Sequence, residues 1–178
     1  MFERWHDYFF MIGSSAAALI GLMFIVVTLT AGRDRGEVER GKHLYTSPIV
    51  WHLAVVLVLS GAAIAPSVTA EIFAVASGGF ALFGIGIGIR NAVAMVRAEL
   101  APGAAGFDMF WYGVAPAIAY VGLGVAALGV WRGEWWGASA AAADLMALLL
   151  VSIHAEWDLV TYLAPMAEPI VKPKRDDD

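Results

Sequence analysis

The sequence predicts an all-α integral membrane protein, a bundle of five transmembrane helices with the N-terminus outside and the C-terminus cytoplasmic. Three observations lead there. Apolar residues make up 60% of the 178 and charged residues only 15%, with a mean hydropathy of +0.72. A soluble domain has roughly 45–50% and about 25%, so one soluble core cannot hide this much apolar surface. Five apolar runs come close to or exceed the ~20 residues that a hydrocarbon layer ~30 Å thick requires of a helix. Basic residues then fall almost wholly in alternate connections, as they do where short loops face the cytoplasm. A disordered chain, a coiled coil and a nucleic-acid-binding domain are excluded by the same composition. The net charge of −5 comes partly from Asp176-Asp177-Asp178 and identifies no partner. With no cysteine in the chain, disulfides, thiolate metal sites and cysteine nucleophiles are removed as well.

The first span covers residues 8–31, where the only polar side chains after Tyr8 are the hydroxyls of Ser14, Ser15, Thr28 and Thr30. It is too long for the apolar stretch of a signal peptide, about 7–15 residues, and its positive cluster follows it instead of leading it. The second span, 48–65, opens at Ser47-Pro48, a cap and a first-turn proline, and stops at Pro66. A third span, 70–100, begins after Thr69 with Glu71 in its first turn and ends before Pro102-Gly103. The fourth, 109–131, follows Asp108 as cap and carries Pro116 as an expected kink. The fifth, 138–163, ends before Pro165 and is the most polar. Together they make one transmembrane domain over residues 1–164, followed by a cytoplasmic tail, 165–178.

Orientation follows from Arg33, Arg35, Arg40, Lys42, Arg90, Arg97, Lys172, Lys174 and Arg175 on one side, against Arg4 and Arg132 on the other. Tryptophans agree, because amphipathic rings favour the headgroup level. Trp5, Trp131, Trp135 and Trp136 belong to the outer interface, and Trp51, Trp111 and Trp157 to the inner one. The expected location is a bacterial-type inner membrane.

Two sets of small residues mark close helix contacts, because van der Waals packing replaces hydrophobicity as the force between helices in lipid. They are Gly13, Ala17 and Gly21 in the first span, and Gly84 and Gly88 in the third. The run from Gly84 to Gly88 lacks the preceding strand and the glycine spacing of a dinucleotide fingerprint.

Charge inside a span is costly and marks a cavity, a pathway or a partner. Asp144 lies about two turns into the fifth span, and His154 and Asp158 follow at a separation of one turn. At about 100° per residue, Asp158 sits about 40° and His154 about 80° from Asp144, which forms one stripe, while Glu156 points about 120° the other way. The plainer account has His154 and Asp158 hydrated near the interface and Asp144 kept neutral or bonded to a neighbouring helix. His52 and Arg90 belong at the same inner depth as His154 and Asp158, so helix packing would gather the four, with Arg90 and Asp158 as an ion pair. A metal reading uses His52, His154 and Asp158 as ligands, and a haem reading uses His52 and His154. His6 and His43 read as solvated. No Gly-x-Ser-x-Gly, His-Glu-x-x-His or phosphate loop occurs, and an Asp144/Asp158 proton-sharing pair is ruled out by ~21 Å of helix between them.

The expectation is an oligomeric channel or carrier for an ion or small solute, with Asp144 on the pathway and His154/Asp158 near its cytoplasmic mouth. No cofactor is expected. Its partners are the lipid bilayer and further copies of itself, and no nucleic acid. The alternatives are a structural or regulatory subunit bound to another membrane protein, and a metal- or haem-binding membrane protein.

Overall fold

The computed structural model describes residues 2–30, 47–97 and 110–163. Within them every regular element is a helix: a 3-10 turn Glu3–Trp5, α1 (His6–Thr30), α2 (Ser47–Ile64), α3 (Ala70–Arg97), a π-helical turn Phe110–Val114, α4 (Ala115–Trp131) and α5 (Gly137–Leu163). Four stretches are long and apolar enough to cross a membrane: Glu3–Val26, Ala70–Arg90, Phe110–Trp131 and Gly137–Thr161. The apolar part of α2, Ile49–Ile64, is shorter. The expected cap Asp108, the basic first loop with His43, the continuation of α3 to residue 100 and the C-terminal tail lie outside the described residues.

Lipid explains why these segments are helices. A backbone N–H or C=O facing hydrocarbon finds no water, so its partner must lie in the same segment. The hydroxyls obey the same constraint. Ser15 and Thr28 in α1, Ser77 in α3 and Ser152 in α5 each donate to the carbonyl four residues back, at 2.9, 2.7, 2.8 and 2.8 Å. Polar side chains are thereby absorbed into the helices that carry them.

The ends are built from specific chemistry. Thr69 caps α3, its Oγ1 accepting from Ile72 N at 3.3 Å. Pro66 sits at the second position of a turn closed by Val68 N to Ala65 O, 3.1 Å. Between α4 and α5, Glu134 N donates to Gly129 O at 2.9 Å and Gly133 N to Val130 O at 3.1 Å. This is a Schellman termination, and Gly133 takes the left-handed φ of 71° that it demands. Pro116 falls in the first turn of α4, where a missing N–H leaves no carbonyl of α4 unpaired. A π-helical turn, Phe110–Val114, immediately precedes α4.

α5 is the centre of the arrangement, packing against α1, α2 and α4. α1 and α2 form one tight pair and α3 and α4 another, with α3 and α5 on opposite sides of α4. Ala141, Leu145, Leu148 and Leu159 of α5 are buried together with Phe9, Ile12, Leu53, Leu59, Phe73, Tyr120 and Leu123. Phe10, Phe24, Leu82, Ile118 and Leu128 point outwards. An apolar exterior of this kind suits a chain that lies in a membrane.

Interlocking is achieved by glycines that receive a neighbour's side chain. The Tyr120 ring lies directly on Gly84, and the Trp136 ring lies on Gly129. Gly13 accepts Ser60 of α2, and Gly88 faces Ala117 at ordinary van der Waals distance. Gly21 has open space where a Cβ would stand, and Ala17 is exposed, so only the first member of the α1 set is a contact within this chain. The reason is geometric, since each fourth residue drifts about 40° around a helix.

Replacement of Gly84 with Ala drives a methyl into the Tyr120 ring and should destabilise the bundle by about 1–3 kcal/mol. Gly86→Ala, which meets nothing within 4 Å, should be neutral or stabilise by up to about 1 kcal/mol. Thermal unfolding in one detergent, followed by helical circular dichroism, checks the contrast.

Candidate functional site

The polar residues of α5 that sequence arithmetic sets in one stripe face α4, in the case of Asp144, and the π-helical turn before it, in the case of His154 and Asp158. Asp144 is half-buried, and its carboxylate occupies the space a side chain at Gly122 would fill. Among the described residues it makes no hydrogen bond or ion pair. The Asp144 carboxylate, about two turns into α5, is therefore held by shape, in a notch left by a glycine.

Towards its C-terminal end the same helix carries His154 and Asp158. Asp158 Oδ2 accepts from the Tyr112 hydroxyl at 3.1 Å and lies 3.4 Å from His154 Nε2. The His154 ring stacks against Trp111, with centroids 4.0 Å apart and planes inclined by 33°. Both aromatic partners belong to the π-helical turn, whose wider backbone sets consecutive residues, Trp111 and Tyr112, towards α5. Neither was legible in the sequence as part of this set, because a π turn has no residue signature of its own. Gly122 was missed for a different reason: its role exists only relative to a residue on another helix.

His52 belongs to a separate pair. It is buried on α2, and its Nδ1 and the Tyr120 hydroxyl are joined by a hydrogen bond of 2.8 Å. Tyr120 is itself fixed by Gly84, so α2, α3 and α4 are coupled through one ring. Arg90 is exposed on α3, and no ion pair joins it to Asp158 among the described residues. With α4 standing between α3 and α5, the gathering of His52, Arg90, His154 and Asp158 resolves into three places. No group of three histidines or carboxylates suited to a metal ion occurs among the described residues.

Glu156, on the other side of α5, is 7% exposed, and its Oε2 has no hydrogen-bond partner among the described residues. The sequence expectation set it apart from the Asp144 stripe without placing it in the interior. His6, exposed, bonds its neighbour Asp7 at 3.2 Å.

Comparison with known proteins finds no matching family model, no matching curated protein and no matching solved structure. The class is defined by fold and site alone: a membrane-integral helical bundle with an acidic and aromatic seam between its last two helices.

Two tyrosine hydroxyls should differ in value. Tyr120→Phe leaves a buried histidine nitrogen without its partner and should cost about 1–3 kcal/mol. Tyr112→Phe, next to a half-exposed carboxylate that water can reach, should cost less, at most about 1 kcal/mol. Melting temperatures of the two variants in the same detergent decide the order.

Proposed function

We propose that the chain is a small channel or carrier for a small cation, acting as a homo-oligomer in a bacterial-type inner membrane. Asp144 is the group that binds the cation in transit, and Tyr112, Asp158 and His154 form the inner mouth. The observation that carries this reading is the Asp144 carboxylate, half-buried in a membrane helix with no recorded partner among the described residues. Intramembrane carboxylates are expensive, and the usual return on that expense is a substrate or ion pathway. The partly exposed carboxylate supports the oligomer, because a second copy would supply the missing wall of the path.

The proposed topology has five crossings, with α2 as the shortest. Its 18 residues extend about 27 Å, close to the ~30 Å of a hydrocarbon core. Charge asymmetry puts the N-terminus outside. A structural or regulatory subunit is the second reading. It is favoured by the self-contained bonding of His52 with Tyr120 and of Tyr112 with Asp158, which asks for no external ligand.

Purified protein in liposomes, loaded with dyes for protons and for potassium, tests the first reading. Cation flux is expected in the wild type and should fall at least about tenfold in Asp144→Asn, equivalent to about 1.4 kcal/mol on the transit barrier. Gly122→Ala, which displaces the carboxylate, should also lower flux while leaving helical content unchanged. Undiminished flux in Asp144→Asn removes that residue from the pathway, and absence of any wild-type flux leaves the subunit reading. Topology is tested by single cysteines, since the chain has none of its own. Ser67→Cys and Glu134→Cys should react with an impermeant maleimide from outside, and Lys174→Cys only after permeabilisation.

A further inference from the structure

A second acidic residue of α5 lies away from the seam, inside the apolar stretch Gly137–Thr161. At about 100° per residue, Glu156 is turned about 160° from both His154 and Asp158. It therefore points away from the π-helical turn, on the flank of α5 left to α1 and α2. Leu149, Ser152 and Leu159 share that flank, and all are buried. The Glu156 side chain is buried with them, and its Oε2 has no partner among the described residues. We infer that Glu156 is a proton-binding site, its carboxyl held as the neutral acid with the Ser152 hydroxyl oxygen as acceptor for the acid proton.

Charge selects the ligand. A carboxylate taken out of water needs a counter-charge or several donors, and without them the group neutralises instead. The elements packed on α5 offer neither among the described side chains. Glu3 and Arg4 of the 3-10 turn are exposed, and His6, Asp7 and Tyr8 stand in the first turn of α1, none of them buried. On α2 the one titratable group is His52, joined to Tyr120 of α4, and on the π-helical turn Tyr112 donates to Asp158. Ser152 adds a positive reason. It stands one turn before Glu156, so the two side chains are neighbours on the helix surface. Its single hydroxyl proton is committed to Leu148 O at 2.8 Å, which leaves an oxygen that accepts and cannot donate. Such a neighbour serves an acid O–H and offers nothing to a carboxylate. The site is separate from Asp144 and holds whether or not the chain moves an ion. Its consequence is a coupling: the proton favours the packed flank, while its loss leaves a charge that favours the entry of water.

Infrared spectroscopy of the full chain in detergent at neutral pH tests this, because a carboxylic acid and a carboxylate absorb in separate regions. The Asp144→Asn background removes the other buried acid of α5 from the spectrum. There a carboxylic C=O band is expected that moves to lower frequency on deuteration. Glu156→Gln, neutral and of the same shape, should abolish it. Ser152→Ala, which removes only the acceptor, should keep the band and move it to higher frequency, as an acid does on losing a hydrogen bond. Helical content is the control for folding in each variant. Absence of the band, or a band that Glu156→Gln leaves in place, overturns the proposal. A band that Ser152→Ala does not move overturns it as well.

Discussion

In hydrocarbon a polar group must find its partner within the protein, and the rest of this structure depends on that constraint. It makes each crossing segment a helix and turns serine and threonine hydroxyls back on the carbonyl one turn earlier. Tyr120 and Tyr112 extend the same economy between helices, each hydroxyl serving a titratable side chain on a neighbour. Against that background the exceptions stand out. The Asp144 carboxylate, the Glu156 Oε2 atom and the Ser60 hydroxyl lack hydrogen bonds among the described residues, and of these three Asp144 alone is half-exposed.

Glycine performs a second task. Gly13, Gly84 and Gly122 each receive a side chain from another helix, Ser60, Tyr120 and Asp144 respectively, and Gly129 receives Trp136 from the turn before α5. These contacts differ from the close backbone approach usually expected of small residues in membranes. They are notches that fix the rotation and height of one helix against the next. Because lipid is as apolar as leucine, such steric matching must supply the specificity that burial supplies in water. The geometry of the seam therefore rests in part on residues with no side chain at all.

The helices were legible because bilayer thickness forces long apolar runs. Prolines and capping residues then mark ends, as Pro66 does after α2 and Thr69 before α3. The faces were not legible. In water an amphipathic stripe identifies the buried side, but here both sides of a helix are apolar, so Gly13 in contact and Gly21 in the open look alike. The stripe of Asp144, His154 and Asp158 was readable because polarity remains rare enough on a membrane helix to show periodicity. The union of Arg90 with Asp158 failed as an expectation because it presumed that α3 touches α5, whereas α4 lies between them. Tyr112 and Trp111 escaped notice because their direction is set by a backbone widening that composition does not announce.

That widening has a mechanical consequence. A π turn accommodates one residue more than an α turn of the same span, so converting it to α geometry would rotate the preceding residues by about 100°. Everything beyond Pro116 would stay in register, with Tyr120 still seated on Gly84. The residues of the turn, Trp111 and Tyr112 among them, would swing, and Asp158 would lose the Tyr112 hydroxyl. The π-helical turn thus separates Trp111 and Tyr112 from the part of α4 that is seated through Tyr120 on Gly84.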